Sequence, residues 1–196
     1  MNHLKGDLLY MLRIIAGNFK NRRLHVPQNN RATRPTLDRV KEALFNIIVH
    51  NRQYPSLEGV VVLDLFAGSG SLGFEALSRG ARTVTFVDHD PRSLQCCENN
   101  AEGLGVKDVC RIQKGDTRSA HFVGGPFEWI LIDPPYYKGM SEPTLMNVLQ
   151  QGALKKGGAI ALEMAADESL QLPEGLRVDK ETVCGPERLY ILLADS

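Results

Sequence analysis

A continuous apolar run at residues 60–66, "VVVLDLF", limits the possible folds of this chain more than any other segment. An uninterrupted apolar run is typical of a parallel strand that is buried on both faces of a sheet. The run leads directly into "GSGSLG" at residues 68–73, which has the spacing G-x-G-x-x-G. Glycines there let the backbone turn sharply and approach a ligand closely. The segment therefore predicts the first strand and ligand-binding loop of a nucleotide-binding sheet.

Segments with strand and helix character alternate along the rest of the chain. Further strand-like segments occupy residues 83–88, 109–113, 127–133 and 157–164. Helical stretches separate them, at residues 71–79, 91–104 and 141–152. The last two strand-like segments, 176–183 and 188–194, are joined by a short turn and should form an antiparallel hairpin. The sequence therefore predicts an α/β fold with a doubly wound, Rossmann-like sheet of seven strands that ends in this hairpin.

Residues 1–55 are expected to form a small extension packed on a main domain of residues 56–196. "RIIAGNFKNRRLHV", residues 13–26, has two short β-prone runs around a turn, as in a β-hairpin. Thr36 is expected to cap the N-terminus of the helix that follows. The apolar positions of this helix recur at helical spacing, namely Leu37, Val40, Leu44, Ile47 and Ile48. Its opposite face is expected to carry Arg39 and Lys41.

Positive charge is concentrated in the extension, although the formal net charge of the whole chain is zero. Residues 1–55 contain ten Lys and Arg against three Asp and Glu, a net charge of +7, so the remainder carries −7. A basic arm on an acidic body indicates a polyanionic partner that touches one side of the protein. For a run of charge alone, a solvated N-terminal segment is the more common alternative.

The sequence argues against a membrane or metal-binding protein. No apolar run reaches the length of a membrane span, and the N-terminus lacks a signal-peptide cleavage pattern. The four cysteines form no C-x-x-C pair, which fits a reducing cytoplasm, and the five histidines have no zinc-type spacing. With no heptads visible, a monomer is the default expectation.

Acidic residues beside the glycine loop indicate which nucleotide it binds. Asp88 ends the next strand 20 residues after Gly68, where a carboxylate can hold ribose hydroxyls. Asp64, just before the loop, would repel a pyrophosphate but would favour the ammonium group of S-adenosylmethionine. A loop-bracing role is the alternative for Asp64. Asp116, in a turn after the third strand, could accept a hydrogen bond from adenine, although a lone Asp in a turn is a weak signal.

The segment "DPPY", residues 133–136, follows the fourth strand of the predicted sheet. Two prolines cannot continue a central strand, so the chain must leave the sheet at Asp133 in a rigid turn. The Asp133 carboxylate and the Pro134 carbonyl could hold an exocyclic amine so that its lone pair points at a methyl donor. Tyr136 could stack on the base that carries the amine. The proton could leave to Asp133 or to water. As a bare tetrapeptide, the segment could instead simply end a strand.

These motifs, in this order, resemble a class I S-adenosylmethionine-dependent methyltransferase. The D-P-P-[YFW] form resembles the members that methylate amines. "RIIAGNFKNRRLHVP" followed by "RPTLDRVKEALFNII" is similar to the N-terminal signature of the bacterial 16S rRNA guanine-N2 methyltransferases, the RsmD family. The resemblance extends from about Arg13 to Leu193. Two features depart from it: residues 1–10 resemble an added extension, and Asn21 stands where the family usually has glycine.

The resemblance implies transfer of a methyl group from S-adenosylmethionine to N2 of one guanine in 16S rRNA, of the guanine 966 type. It implies a 30S subunit or an assembly intermediate as partner. The implied cofactor-binding residues are Asp64, Phe66, Ala67, Gly68, Ser69, Gly70, Asp88, His89, Asp116 and Thr117. The implied catalytic residues around the target base are Asp133, Pro134, Pro135 and Tyr136. The candidates for contact with RNA are Arg22, Arg23, Arg31, Arg34, Thr36 and Arg39, and the last three could instead brace the site.

Three other functions stay open at this stage. A DNA adenine-N6 methyltransferase would use the same DPPY chemistry, but it would normally need an additional target-recognition region. A dehydrogenase or other nucleotide-binding module would use the glycine loop, but it leaves residues 133–136 unexplained. A non-catalytic RNA-binding protein would use only the basic extension. Binding of S-adenosylmethionine, seen as a raised melting temperature, would separate the methyltransferases from a dehydrogenase.

Overall fold

The computed structural model of the chain describes residues 12–26 and 34–195, without the side chains of residues 34–37. The strands are β1 Leu12–Arg13, β2 Arg23–Leu24, β3 Val61–Leu65, β4 Thr83–Asp88, β5 Cys110–Lys114, β6 Phe127–Ile132, β7 Leu154–Ala165, β8 Leu176–Cys184 and β9 Glu187–Ala194. The helices are α1 Arg34–His50, α2 Ser71–Ser78, α3 Pro91–Leu104 and α4 Ser141–Gln150, with a 3₁₀ turn at Lys107–Val109.

The main sheet has seven strands in the order β5-β4-β3-β6-β7-β9-β8. Neighbouring strands from β5 to β7 are parallel, and β9 lies antiparallel between β7 and β8. The predicted sheet and its C-terminal hairpin are therefore confirmed. The strand order changes direction between β3 and β6, and ligands of open α/β sheets bind at such a switch point.

The core lies on both faces of the sheet. Helices α1, α2 and α3 pack on one face, around Val62 and Trp129, and α4 packs on the other, around Leu63 and Ile130. Each of these four side chains is fully buried, and burial of one such side chain contributes on the order of 2 kcal/mol to the stability of the fold. Successive side chains of a strand point to opposite faces, so Asp64 lies on the face that α2 covers.

The N-terminal hairpin is small. β1 and β2 pair antiparallel over two residues each, with Leu12 opposite Leu24. Asn21, in the turn, has a φ of 68°, in the left-handed region. Asparagine tolerates this conformation better than other non-glycine residues, which explains how the turn forms without the usual glycine.

Helix α1 corrects two expectations. It begins at Arg34, so Thr36 lies inside its first turn and is not the N-cap. Pro35 is the physical reason, because proline is pre-organised for the first turn of a helix and its missing N–H needs no partner there. Lys41, expected on the polar face of the helix, is only 4% exposed, whereas Arg39 is exposed as expected. The side chain of Leu37 lies outside the described residues.

The residues around the hairpin dock on the α/β body through buried polar side chains. The Glu75 carboxylate, on α2, accepts hydrogen bonds from the Ile15 N–H at 2.7 Å and the Ala16 N–H at 3.0 Å. Asn100, on α3, accepts from the His25 N–H at 2.7 Å and donates to the His25 carbonyl at 3.0 Å. It also donates to the Ser69 carbonyl at 2.9 Å, so it joins the N-terminal segment to the glycine loop. The division into domains at residue 55 stays a prediction.

Strand β7 is longer than the sequence indicates. It begins at Leu154, three residues before the predicted start, and it contains Gly157 and Gly158. The missed part contains Lys155 and Lys156, and lysines are depleted in strands, so the pattern excluded it. Its register against β6 shifts between Phe127 and Trp129, which accommodates the extra length.

Candidate active site

The carboxyl ends of β3, β4, β6 and β7 surround a pocket of about 480 Å³. The predicted site residues that line it are Asp64, Phe66, Ala67, Gly68, Ser69, Asp88, His89, Asp133, Pro134, Pro135 and Tyr136. Parallel strands bring their carboxyl ends to one edge of the sheet, so residues far apart in sequence meet here. The pocket joins the glycine loop to the DPPY segment.

The glycine loop lies close against α2 and α3. Gly70 has a φ of 81°, and a Cβ added there would lie 2.5 Å from Phe74 Cε2 and 2.6 Å from Cys97 Sγ. A Cβ on Gly73 would lie 2.3 Å from Phe86 Cε1. Both positions therefore require glycine, the first for its backbone conformation as well as for space. Gly70 itself does not line the pocket; it shapes the loop whose neighbouring residues do.

Asp88 holds the loop and still presents a carboxylate to the pocket. Its Oδ2 accepts from the Gly68 N–H and its Oδ1 accepts from the Asp90 N–H, both at 2.8 Å. The side chain of His89 lies beside it, with 3.4 Å between Nδ1 and Oδ1. Each carboxylate oxygen can accept more than one hydrogen bond, so ribose hydroxyls can still bind.

Asp64 braces the loop and also has an unusual pKa. Its Oδ2 accepts from the Gly73 N–H at 2.9 Å, which confirms the loop-bracing alternative. Burial, and to a lesser degree the charge of Asp88, raises the pKa of Asp64 to about 8. A buried carboxyl at the wall of a pocket favours a cationic ligand, because a positive neighbour would bring the pKa down again. The geometry therefore supports both roles.

The DPPY segment leaves the sheet at the end of β6. Asp133 is half-buried, and burial, followed by the charges of Asp64 and Glu187, raises its pKa to about 7. The Tyr136 hydroxyl donates to Glu163 Oε1 at 2.5 Å, which fixes the ring at the pocket wall. Burial and the Glu163 charge raise the pKa of Tyr136, so its hydroxyl stays protonated. Pro134 is buried and Pro135 is exposed.

Besides Gly70, two predicted cofactor residues lie outside the pocket lining, Asp116 and Thr117. The Asp116 carboxylate is paired with Arg118, at 2.6 Å between Oδ2 and Nη2, and this pairing lowers its pKa to about 2. Thr117 is buried, with its hydroxyl 3.0 Å from that of Thr144 and its carbonyl accepting from Asn147. Contact of Asp116 and Thr117 with the cofactor stays a prediction.

The candidate RNA contacts lie on the outside of the described part of the chain. Arg23 and Arg39 are exposed. Arg22 is also exposed, and its guanidinium donates to the Gly103 carbonyl at 2.5 Å. Arg31 lies outside the described residues, as do the side chains of Arg34 and Thr36.

Four charged residues of the pocket were not predicted as site residues: Asp90, which is the N-cap of α3, and Lys41, Glu163 and Glu187. Lys41 donates from Nζ to the Arg13 carbonyl at 2.7 Å and to Ser71 Oγ at 3.0 Å, and burial lowers its pKa. A lysine four residues after Leu37 and three before Leu44 lies on the apolar stripe, and this spacing was the available signal. Glu163 interrupts the apolar run of β7, which was a second signal. Glu187 follows a turn, and nothing in the sequence marked it.

Some kinds of site are not seen in the parts of the chain that the structure describes. Within residues 12–26 and 34–195, no group of three or more His, Cys, Asp or Glu is arranged to hold a metal ion. No helix in these ranges combines the length and apolar character that crossing a bilayer requires.

The pocket fits S-adenosylmethionine as its ligand. Gly68 leaves space beside its backbone, so a ligand can approach the loop closely. Asp88 presents an acceptor for ribose hydroxyls, and Asp64 is a buried carboxyl suited to a cation. With the order of the seven strands, these features define a class I S-adenosylmethionine-dependent methyltransferase. S-adenosylmethionine is the methyl donor of this class.

The comparison with known proteins identifies the family. Residues 12–192 match the family described as "Conserved hypothetical protein 95", and the chain belongs to it. The chain is 34% identical to "Ribosomal RNA small subunit methyltransferase D" of Haemophilus influenzae over 95% of this chain and 94% of that protein. It is 32% identical to the protein of the same name in Escherichia coli, over 91% and 89% of the two chains. These matches confirm the resemblance to RsmD-type methyltransferases.

Solved structures agree with this assignment. A structure titled "Putative methyltransferase yhhF from Escherichia coli" superposes with a TM-score of 0.80 and 31% identity, over 95% of this chain and 99% of that one. A hypothetical protein of Thermus thermophilus, TTHA0928, superposes with a TM-score of 0.71 and 26% identity, over 92% and 98% of the two chains.

Proposed function

We propose that the protein transfers the methyl group of S-adenosylmethionine to the exocyclic N2 amine of one guanine in 16S rRNA, of the guanine 966 type. The substrate would be a 30S subunit or an assembly intermediate. Relatives at 34% and 32% identity are named small subunit rRNA methyltransferases. The observation that carries the proposal is the rigid Asp133–Pro134 acceptor pair in a pocket that also contains the cofactor loop.

The cofactor would be held by the loop and by two carboxylates. Asp88 would accept from the ribose hydroxyls, and the backbone around Gly68 and Ser69 would approach the methionine end. Asp64 would face the ammonium group, which favours its ionised form. Bound in this way, S-adenosylmethionine supplies an electrophilic methyl group on a sulfonium. Because Asp88 also accepts from the Gly68 N–H, loop geometry and ribose binding depend on the same side chain.

The target amine would be activated by position rather than by a strong base. The lone pair of a guanine N2 amine is delocalised into the ring, so the free amine is a poor nucleophile. Hydrogen bonds from the amine to the Asp133 carboxylate and the Pro134 carbonyl would turn its lone pair toward the methyl group and stabilise the charge that develops on nitrogen. The amine would form its new carbon–nitrogen bond as the carbon–sulfur bond breaks, with S-adenosylhomocysteine as the leaving group, and the nitrogen would give up one proton to Asp133 or water.

Tyr136 is suited to hold the base itself. Its ring is immobilised by the hydrogen bond from its hydroxyl to Glu163 and by an edge-on contact with Tyr137, with 6.4 Å between the ring centroids. An aromatic side chain in this position can stack on a base that is taken out of its helix. The exposed Arg22 and Arg23 would contact phosphates, which supply affinity without sequence information.

A methyl-transfer assay with three nucleic acids tests the proposal. Labelled S-adenosylmethionine would be offered with unmodified 30S subunits, with naked 16S rRNA and with duplex DNA. We expect label in ribosomal material and none in DNA. Transfer to DNA alone would favour the adenine-N6 alternative and overturn the rRNA assignment.

Two variants separate binding from chemistry in the same assay. Asp133→Ala should keep its affinity for S-adenosylmethionine and lose methyl transfer, whereas Asp88→Ala should lose cofactor affinity. Glu142→Gln, an exposed change on α4, is the matched control. Normal turnover by Asp133→Ala would contradict the mechanism.

A further inference from the structure

Glu187 is a buried acid that the mechanism above does not use. It is the first residue of β9, opposite Ala165 of β7 and Cys184 of β8. Its side chain lines the pocket together with Asp133 and Tyr136, and the residue is only 6% exposed. Among the described residues, its Oε2 has no hydrogen-bond partner, although the atom is shielded from solvent.

Apart from Asp133, which is proposed to hold the amine, the other acids around the pocket have hydrogen-bond partners. Asp64 and Asp88 accept from backbone N–H groups, and Glu163 accepts from the Tyr136 hydroxyl. A nearby cation, Arg188, is directed elsewhere: its guanidinium donates to Glu181 Oε1 at 2.9 Å and to the Ala166 carbonyl at 2.6 Å.

A buried acceptor without a donor is costly, so such groups are rare in folded proteins and call for an explanation. The charge of Glu187 raises the pKa of both Asp133 and Tyr136, which places it close to the two residues proposed to hold the base. A donor supplied by the bound base would satisfy Glu187 at this position.

Guanine and adenine differ in what they offer to such an acceptor. Guanine carries a hydrogen on N1, directly beside the N2 amine, so its Watson–Crick edge presents adjacent donors. Adenine has an unprotonated N1 beside its amine, and the lone pair on N1 would face the carboxylate oxygen. In guanine, N1 is bonded to the carbon that carries the N2 amine, so an amine held at Asp133 would place N1 within the pocket that Glu187 also lines.

We propose that Glu187 is a specificity-determining residue that accepts a hydrogen bond from N1–H of the target guanine. The inference rests on the proposed function and adds to it the group that selects guanine over adenine. A site that pairs with a donor rejects a base that lacks it, because the buried acceptor is then left unpaired.

The test removes the hydrogen on N1 of the target base and keeps the 2-amine. Ribosomal RNA would be assembled from synthetic and transcribed pieces, with guanine, 2-aminopurine or 2,6-diaminopurine at the target position. All three bases carry the 2-amine, but only guanine has a hydrogen on N1. Single-turnover methyl transfer would be measured for the wild type, for Glu187→Gln and for the control Glu142→Gln.

We expect the wild type and the control to prefer guanine by about 10- to 100-fold, the discrimination that one good hydrogen-bonded pair provides. The amide of Glu187→Gln can donate to an unprotonated N1, so its preference should shrink by at least about tenfold. A melting-temperature increase with S-adenosylmethionine would show that the variant is folded and binds cofactor.

The outcomes separate the two proposals. Equal rates on the three bases by the wild type would overturn the role of Glu187 and leave guanine-N2 transfer standing. A full preference retained by folded Glu187→Gln would also overturn it. Absence of transfer to guanine itself, despite cofactor binding, would instead overturn the proposed function.

Discussion

Methyl transfer should depend steeply on pH if Asp133 acts as proposed, because only the ionised carboxylate stabilises the positive charge that develops on the target amine. Burial and the charges of Asp64 and Glu187 raise the pKa of Asp133 to about 7. Below that pH the carboxyl group is protonated in most molecules. The rate should therefore rise with pH and level off above about pH 8, whereas an ordinary aspartate would already be ionised at about pH 5.

The magnitude follows from the single ionisation. On the acidic limb the ionised fraction falls about tenfold per pH unit, so kcat/KM for the RNA should be about tenfold lower at pH 6 than on the plateau. This parameter reports the pKa of the enzyme before the RNA binds. Saturating S-adenosylmethionine would be present throughout, so that the pH dependence of cofactor binding does not enter the rate.

The variant Glu187→Gln tests whether the midpoint of the pH profile belongs to Asp133. Removing the Glu187 charge removes one of the causes that raise the pKa of Asp133, so the midpoint should move to lower pH, while Glu142→Gln should leave it in place. The assay is initial-rate methyl incorporation over about pH 5 to 9, with cofactor affinity measured at each pH. A profile that stays flat between about pH 5 and 8, or a midpoint that Glu187→Gln does not move, would refute this reasoning.

Three further predictions concern stability and RNA binding. Burial raises the pKa of Asp64 to about 8, so between about pH 4 and 8 the folded chain binds more protons than the unfolded chain, and its stability falls as the pH rises. In urea unfolding, Asp64→Asn should make this fall in stability smaller. The same variant should abolish the increase in melting temperature with S-adenosylmethionine. Glu75→Ala should lower the unfolding free energy by about 2–4 kcal/mol, because it leaves the Ile15 and Ala16 N–H groups without their acceptor. Limited proteolysis of this variant should cut the N-terminal segment first. A variant as resistant to proteolysis as the wild type would contradict the role of this contact. Charge reversal at Arg22 and Arg23 should weaken RNA binding and flatten its salt dependence while cofactor affinity is unchanged, and an unaltered salt slope would exclude them as phosphate contacts.

The sequence predicted the sheet well because its strands follow a simple rule. A parallel strand buried on both faces is mostly apolar, and β3, β4 and β6 show this, with only a few polar residues such as Asp64, Thr85 and Glu128 among their apolar ones. Glycine and proline then mark where each strand ends. The glycine loop and the DPPY turn were predictable for the same reason, since few other residues can adopt their backbone conformations.

The polar contacts across the pocket could not be predicted, because they join segments distant in sequence. Glu163 and Tyr136 are separated by 27 positions and meet only because β6 and β7 are neighbours. The hydrogen-bond partners of Lys41, the Arg13 carbonyl and the Ser71 hydroxyl, depend on how α1 packs beside the glycine loop, which helical spacing does not fix. Glu187 reaches the pocket because β9 inserts between β7 and β8, and this insertion is a property of the whole sheet.

The identity of the methylated nucleoside tests the central claim most directly. RNA labelled by the protein from S-adenosylmethionine would be digested to nucleosides, and the labelled nucleoside would be identified by chromatography and mass spectrometry. N2-methylguanosine as the labelled product is the predicted result, since the Asp133–Pro134 pair is proposed to hold an exocyclic amine and Glu187 is proposed to select guanine. Label on N6 of adenosine, or on a ring carbon or ribose oxygen of any nucleoside, would contradict the account.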